Sequence, residues 1–167
     1  MKIRKTTAED LPQVMDIYRQ ARVFMAEHGN PLQWGPTKWP PLALIRQDIA
    51  AGESYVCVDD VDEVLGVFFY RYGKDIDPTY AAITDGKWLD ESPYGVVHRI
   101  AVGKHNKGVA SFCVNWAFEQ SGHLRIDTHG DNTVMRSFLK KLGFVHCGTI
   151  YVEEDDYPRL AFEKVRE

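Results

Sequence analysis

The chain has 167 residues, 44% of them hydrophobic, and its formal net charge is −4 at neutral pH. This length predicts a single domain over residues 1–167 with a substantial core, and the acidic balance argues against nucleic acid as a partner. No apolar run approaches the roughly 20 residues of a membrane span, and the N-terminus lacks the apolar stretch of a secretory signal. We therefore expect a cytoplasmic protein without a membrane partner.

In the N-terminal half, the pattern predicts an edge strand at residues 2–6 and helices at 11–27 and 42–49. It then predicts a two-stranded hairpin, 54–58 with 64–70, and a long connection, 71–93. Thr7 to Asp10 resembles a capping box ahead of the first helix, and Pro41 suits the first position of the second helix. A connection as long as 71–93 is uncommon without a function, so we expect it to form a cleft wall.

The C-terminal half predicts strands that alternate with helices and end in a hairpin: strand 96–102, helix 108–120, strand 124–128, helix 133–142, and strands 144–152 and 160–164. The first strand has the apolar run of an interior strand, interrupted only by His98 and Arg99. Gly122 suits the C-terminal cap of the first helix. Either Asp131 or Asn132 suits the N-terminal cap of the second.

The loop between strand 96–102 and the helix after it has the composition of a phosphate-binding loop. The first turn of a helix has unpaired N–H groups and a partial positive charge, which attract an anion. Gly108 allows close approach of the backbone, and Lys104 and Lys107 add positive charge. The loop has neither the Gly-Lys-Ser/Thr ending of a Walker loop nor the three glycines of a Rossmann loop.

The segment RIAVGKHNKGVA resembles the acetyl-CoA-binding segment of the GNAT superfamily of N-acetyltransferases, in which Gln/Arg-x-x-Gly-x-Gly/Ala follows a strand. Gly108 and Ala110 match the last two signature positions, and His105 stands where Gln or Arg is usual. A second segment, 127–144, resembles the end of the family's fifth strand and the helix after it. The two segments occur in the family's order and spacing and together cover about the C-terminal half.

This resemblance implies a fold and a cofactor. The fold is α/β (α+β), a mixed central sheet with helices on both faces, in which the parallel fourth and fifth strands splay apart. The pantetheine arm of acetyl-CoA would lie in that gap like an added strand, and its pyrophosphate would lie on the loop that ends at Gly108. The residues expected to contact the cofactor are Ile100, Ala101, Val102, Lys104, His105, Lys107, Gly108, Val109, Ala110, Asn132 and Lys141.

N-acetyl transfer needs a group that accepts the amine's proton, and His98 is the candidate. Strand alternation places it on the same face as Val96, Ile100 and Val102, just before the segment expected to face the thioester. Imidazole titrates near neutral pH, which suits a base. The structural alternative is a buried histidine bonded to the backbone.

The group that would protonate the CoA thiolate is open. The family often has a tyrosine there, at the position that is Leu139 in this chain, and leucine cannot donate a proton. Either the thiolate leaves unprotonated, or another group serves. The tyrosines that could do so are Tyr151, Tyr94 and Tyr157.

Two further predictions concern the acceptor and metals. The loop with Trp34 and Trp39 overhangs the acceptor cleft in the fold that the resemblance implies, so both are candidates for substrate binding, with packing onto the core as the alternative. Asp127 and His129 at a strand end are compatible with an acceptor role or with plain strand-end polarity.

No metal is predicted, because helical His pairs and paired CxxC motifs are missing. The three cysteines are predicted to be reduced core residues: Cys57, Cys113 and Cys147.

We therefore predict an N-acetyltransferase that transfers the acetyl group of acetyl-CoA to a primary amine of a small molecule or peptide, by direct attack in a ternary complex. A longer acyl-CoA donor is one alternative, and a non-catalytic CoA-binding sensor or interaction module is another. The acceptor stays open among amino acids, polyamines, aminoglycosides, peptide N-termini and protein lysines. The C-terminal hairpin offers an edge for a homodimer.

Overall fold

A mixed sheet of seven strands lies at the centre of the computed structural model, which describes residues 1–103, 108–153 and 155–167. The strands are β1 Lys2–Lys5, β2 Ser54–Val58, β3 Val64–Gly73, β4 Tyr94–Val102, β5 His123–His129, β6 Val145–Tyr151 and β7 Pro158–Val165. A 3-10 turn, Ala8–Asp10, precedes the helices, which are α1 Leu11–Glu27, α2 Leu42–Ala50, α3 Pro78–Ala81, α4 Val109–Ser121 and α5 Thr133–Lys141. The predicted elements are confirmed, and the short helix α3 inside the long connection is an addition.

The strands lie in the order β1-β2-β3-β4-β5-β7-β6. The pair β4–β5 is parallel, and the other neighbouring pairs are antiparallel. Helices α1 and α2 cover one face of the sheet, and α4 and α5 cover the other. The predicted α/β (α+β) fold, with a mixed central sheet and helices on both faces, is confirmed.

The two faces of the sheet bury separate apolar clusters. Under α1 and α2 the fully buried side chains include Val14, Tyr18, Ile45, Val56 and Val67. Under α4 and α5 they include Phe68, Val97, Cys113, Leu124 and Leu139. Each large apolar side chain removed from water in this way contributes about 1.5–3 kcal/mol to folding. The three cysteines are free and buried, as predicted.

Capping residues mark where the 3-10 turn, α2 and α5 begin. The Asp10 carboxylate accepts the backbone N–H of Thr7 at 2.7 Å, which confirms the predicted capping box. Pro41 is the N-cap of α2 and not its first residue, so that prediction is wrong by one position. The choice between Asp131 and Asn132 is decided for Asn132, whose Oδ1 accepts the Met135 N–H at 3.0 Å.

A β-bulge interrupts β4 at Arg99. Phe69 of β3 pairs with His98 and Val67 pairs with Ala101, so β4 has one extra residue between these pairs. Arg99 takes the positive φ of 51° that the bulge requires. Two helices hold it there, because the Tyr18 hydroxyl of α1 donates to the Arg99 carbonyl at 2.7 Å and the Arg99 guanidinium bonds an aspartate of α2.

Because of this bulge, the prediction that Ile100 and Val102 share a face with His98 is wrong. Val96 and His98 do share a face, since both lie on the side of Phe69. Beyond the bulge the alternation is shifted by one residue. Ile100 and Val102 therefore pack with the α4 cluster on the opposite face.

The parallel strands β4 and β5 pair only near their beginning. Gly95 pairs with Leu124 and Val96 pairs with Arg125, and the pairing ends there. Strand β4 continues to Val102 and β5 continues to His129. The predicted splay is confirmed, and it leaves a gap between the C-terminal ends of the two strands.

Candidate active site

A cavity of about 390 Å³ opens at the gap between β4 and β5. Residues 96–100 of β4 and 126–128 of β5 form its floor. The segment between α1 and α2 forms one wall, and residues 76–79 of the long connection form another. The prediction that the connection forms a cleft wall is confirmed. A ligand in this cavity would touch the splayed strands and the segment between α1 and α2 at once.

His98 projects into this cavity between two carboxylates. Its Nε2 lies 2.8 Å from Asp77 Oδ2, and its Nδ1 lies 3.7 Å from Asp127 Oδ2. The first distance is a hydrogen bond and the second is too long for one. The ring stacks on Phe69 at 5.7 Å and meets the edge of Tyr80 at 5.8 Å. Its side chain is 23% exposed, so the imidazole is held firmly yet reaches the open space.

Asp77 begins the short helix α3 and orients His98 at the same time. Its Oδ1 accepts the backbone N–H of Thr79 at 3.0 Å and the Thr79 hydroxyl at 2.6 Å. Burial raises the pKa of Asp77, but the hydrogen bond and charge of His98 and the bonds from Thr79 outweigh it. The pKa is therefore below its ordinary value. Sequence reasoning missed Asp77, although Asp followed by Pro78 is an N-cap signal for a helix.

Asp127 lies at the end of β5 and is the second carboxylate beside His98. The Tyr80 hydroxyl donates to Asp127 Oδ2 at 2.7 Å. Tyr80 is fully buried, and burial together with the nearby negative charge of Asp127 raises the pKa of its hydroxyl well above the ordinary value. Tyr80 therefore stays a hydrogen-bond donor that fixes the Asp127 carboxylate.

A buried polar network anchors the connection that carries Asp77 and Tyr80. Glu163 of β7 is fully buried and accepts the Leu89 N–H at 2.5 Å and Arg125 Nε at 2.8 Å. Arg125 donates onward to the Asp90 carbonyl at 2.6 Å. Its guanidinium also lies over the rings of Trp88 and Tyr94, at 4.1 Å from each ring centre. Charged side chains of β5 and β7 thus bind the long connection. The apolar pattern that predicted these two strands gave no indication of this role.

No family model matches the chain, and no curated protein matches it. Among solved structures, it is similar to an acetyltransferase of the GNAT family from Streptococcus agalactiae, with 30% identity and a TM-score of 0.87. That alignment covers 99% of this chain and 95% of the other. The chain belongs to the GNAT family of acetyltransferases.

More distant GNAT structures share the fold. An acetyltransferase of the GNAT family from Listeria monocytogenes is 17% identical, with 98% of this chain and 93% of the other covered and a TM-score of 0.69. A ribosomal-protein-alanine N-acetyltransferase from Brucella melitensis is 18% identical, with 99% of each chain covered and a TM-score of 0.63. At these identities the likeness concerns the fold alone.

At the loop that was predicted to bind phosphate, Gly108 is the N-cap of α4 with a φ of 78°. A Cβ built on it would meet no atom of the described residues within 4 Å. Val109 is buried at the start of α4 and Ala110 is partly buried beside it. The predicted contacts Lys104, His105 and Lys107 lie outside the described residues.

The other predicted cofactor contacts are spread around the splayed strands. Ile100 lines the cavity, while Ala101 is buried under α1 and α2. Val102 packs toward α4, and Lys141 is exposed in the last turn of α5. Asn132 lines the cavity and also caps α5, so the predicted cap is compatible with the predicted cofactor contact.

The two tryptophans pack onto the core and also line the cavity, so their predicted substrate binding stays a prediction. Trp34 is buried against Tyr18, with ring centres 5.9 Å apart, and Trp39 packs on the same cluster. Both line the cavity. Gln33, next to Trp34 in the same loop, accepts a hydrogen bond from Asn132 Nδ2 at 3.1 Å, which ties this loop to α5.

Leu139 is fully buried in the core and takes no part in the cavity lining. The three tyrosines named as alternatives also lie outside that lining. Tyr94 is buried with its hydroxyl accepting the Asp77 N–H at 3.2 Å, and Tyr151 and Tyr157 are exposed. Within the described residues there is no cluster of metal-binding side chains, and no helix has the length and apolar character to span a membrane.

Proposed function

We propose that this acetyltransferase transfers the acetyl group of acetyl-CoA to a primary amine, and that His98 accepts the amine's proton. The observation that carries the proposal is the position of His98. Its imidazole is bonded to Asp77 on one side and faces the cavity with the other, beside the gap between β4 and β5. When bound, acetyl-CoA supplies an acetyl group activated as a thioester.

The hydrogen bonds assign the two ring nitrogens. Asp77 is ionised at neutral pH because its pKa is lowered, and a carboxylate only accepts hydrogen bonds. In the neutral imidazole, Nε2 therefore carries the proton and Nδ1 keeps the lone pair. Nδ1 is the atom that faces Asp127 across 3.7 Å. The proton released as the new N–C bond forms passes to Nδ1, and Asp77 stabilises the resulting positive charge.

Two observations support a fit between the cavity and acetyl-CoA. Thr128 of β5 lines the cavity, and its buried hydroxyl has no hydrogen-bond partner within the described residues. A polar ligand that reaches this hydroxyl would satisfy it. Outside the cavity lining, at the N-terminus of α4, Gly108 has no described atom within 4 Å of its Cβ position and α4 has no side-chain cap among the described residues, which suits a phosphate.

The thiolate is proposed to leave unprotonated. Leu139 cannot donate a proton, and the hydroxyls of Tyr94, Tyr151 and Tyr157 lie outside the cavity lining. A free thiol has a pKa of about 8.5, so its anion is an adequate leaving group near neutral pH. This removes the need for a dedicated acid.

Thiol release with a panel of amines tests the function. We expect amine-dependent release of CoA from acetyl-CoA, with an acetylated amine as the second product. Binding of CoA without any release would favour the non-catalytic CoA-binding module. The same assay with propionyl-CoA tests the donor, and faster turnover with propionyl-CoA would favour the longer-acyl alternative.

The phosphate site is tested by two substitutions at one position. Gly108→Glu places a carboxylate where the pyrophosphate is proposed to lie, and Gly108→Ala is the matched control. Both force a side chain onto a φ of 78°, at a cost of about 1–2 kcal/mol. Calorimetry should show CoA binding lost in Gly108→Glu and retained in Gly108→Ala. Equal CoA affinity in the two folded variants would contradict the site.

A further inference from the structure

Resting on this proposed function, we infer that the acceptor is a primary amine with an apolar or aromatic body and no carboxylate, and that Asp127 binds its ammonium group. Three features of the cavity lead there. They are the free oxygen of Asp127, the pairing of the cavity's arginines, and the apolar wall between α1 and α2.

Asp127 presents one carboxylate oxygen to the cavity. Its side chain is only 9% exposed and lines the cavity. Oδ2 is bonded to Tyr80, whereas Oδ1 has no hydrogen-bond partner among the described residues. A carboxylate this buried is costly unless it meets a cation or donors. A protonated amine supplies both.

The position of Asp127 also suits the transfer of the proton. Its Oδ2 is 3.7 Å from His98 Nδ1, the atom proposed to take the proton. A nitrogen that enters between them can contact the carboxylate and the imidazole together. Asp127 would hold the ammonium, which loses one proton to solvent before it attacks, and His98 would take the second proton from that same nitrogen as the new N–C bond forms.

The arginines of the cavity are already neutralised. Three of them line it, and each has a carboxylate partner. Arg71 pairs with Glu53, Arg99 with Asp48 at 2.9 Å, and Arg159 with Asp155 at 2.8 Å. Their partners Glu53, Asp48 and Asp155 do not line the cavity. Within the described residues, the cavity therefore has no unpaired arginine for an acceptor carboxylate, which would instead meet Asp127 and Asp77.

The wall formed by α1, α2 and the segment between them is apolar. From α1 to α2 the cavity is lined by four apolar or aromatic side chains and one amide: Met25, Trp34, Trp39, Leu44 and Gln33. Trp39 and Leu44 are partly exposed at this surface. Such a wall removes an apolar body from water, at about 25 cal/mol per Å² buried. The wall has no carboxylate of its own, so a second ammonium group lying against it would be unpaired; Glu153, the third carboxylate that lines the cavity, lies outside this wall.

Four compounds that differ in charge test this inference: 2-phenylethylamine, phenylalaninamide, phenylalanine and spermidine. The first three share one body, and only phenylalanine has a carboxylate. We expect kcat/KM for 2-phenylethylamine and phenylalaninamide to exceed that for phenylalanine by roughly a hundredfold, because like charges placed together cost several kcal/mol. A preference for phenylalanine or for spermidine would overturn the inference.

Asp127→Asn supplies the matching variant, with Asp131→Asn as its control. Asp131 belongs to the same strand end, but its side chain is 56% exposed and does not line the cavity. Asp127→Asn should raise KM for 2-phenylethylamine by about tenfold or more, leave CoA affinity unchanged, and narrow the discrimination against phenylalanine. Discrimination that is unchanged in Asp127→Asn would overturn the role of Asp127.

A binding measurement separates this inference from the proposed function. Calorimetry of 2-phenylethylamine with the CoA-bound protein reports recognition of the amine without turnover. Asp127-dependent binding with no thiol release would support the inference and contradict the catalytic function. Thiol release without any dependence on Asp127 or on the carboxylate would support the function and overturn the inference.

Discussion

Two histidines of this protein, His98 on β4 and His123 on β5, each pair with a carboxylate on a neighbouring element, and they differ in what their second nitrogen does. His123 Nε2 lies 2.6 Å from Glu163, and its Nδ1 lies 3.1 Å from the Pro93 carbonyl. His98 Nε2 lies 2.8 Å from Asp77, and its Nδ1 makes no hydrogen bond within the described residues.

Burial follows the same division. The His123 and Glu163 side chains are 5% and 0% exposed, whereas those of His98 and Asp77 are 23% and 14% exposed. A histidine with both nitrogens bonded and no access to a ligand can only support the fold. A histidine with one nitrogen bonded and the other facing a cavity can exchange a proton. The two histidine–carboxylate pairs are thus chemically alike, and they differ in burial and in whether the second ring nitrogen can reach a ligand.

The largest expected effect is on turnover in His98→Ala. Loss of a general base costs roughly 10²-fold or more, so turnover should fall by that amount, while CoA affinity and melting temperature change little. Steady-state kinetics, calorimetry and thermal unfolding on one preparation check this. A variant that unfolds readily but keeps full activity in its folded fraction would place His98 with His123 as a structural residue.

Asp77→Asn should reduce turnover less, by about tenfold to a hundredfold. An amide can donate to Nε2 and so stabilise the tautomer whose Nδ1 carries the proton, which removes the lone pair from the cavity. KM for the amine should change little. Asp75→Asn is the control, because Asp75 is exposed in the same connection. Equal kcat in the two variants would show that Asp77 does not orient the base.

His123→Ala should lower stability and spare activity. Glu163 keeps Arg125 and the Leu89 N–H, so we expect a loss of about 1–3 kcal/mol in the free energy of unfolding, the cost of one buried unmet partner. Denaturant unfolding measures it. The folded fraction should retain kcat within about twofold of the native protein, and a drop as large as that of His98→Ala would remove the distinction between the pairs.

The smallest expected effect is a shift in acid unfolding. Burial raises the pKa of Glu163, but His123 and Arg125 outweigh it and the pKa is lowered overall. The stability contributed by its ionised form is therefore complete above the unfolded pKa, about 4.3, and is lost as the pH falls through the lower folded pKa. Without His123 the folded pKa of Glu163 rises toward the unfolded value, so the stability lost on acidification should be smaller and should end at a higher pH. An equal loss of unfolding free energy on acidification in the native protein and in His123→Ala would contradict this.

Sequence reasoning predicted the parts of this comparison that depend on local pattern. The alternation of strands and helices, the caps at Thr7 and Gly122, and the place of His98 on an interior strand all follow from residues close in sequence. The GNAT signature around Gly108 predicted the family. These features depend on turns, caps and periodicity, which a short stretch of sequence contains.

The parts it missed depend on distant contacts. The bulge at Arg99 is held by Tyr18 and Asp48 from two helices far away in sequence. The pattern of β4 alone therefore placed Ile100 on the wrong face. Asp77 and Tyr80 lie in a connection without periodicity, and only the fold brings them to His98. Residues that meet only in the folded protein have no fixed spacing in the sequence, so no motif reveals them.

The pH–rate profile of the native protein and of His98→Ala tests the central claim most directly. With saturating acetyl-CoA and an amine acceptor, kcat of the native protein should rise with pH as the imidazole loses its proton. In His98→Ala this rise should disappear or move to higher pH, at a rate reduced roughly 10²-fold. A rise that stays at the same pH in His98→Ala would contradict the account, because another group would then be taking the amine's proton.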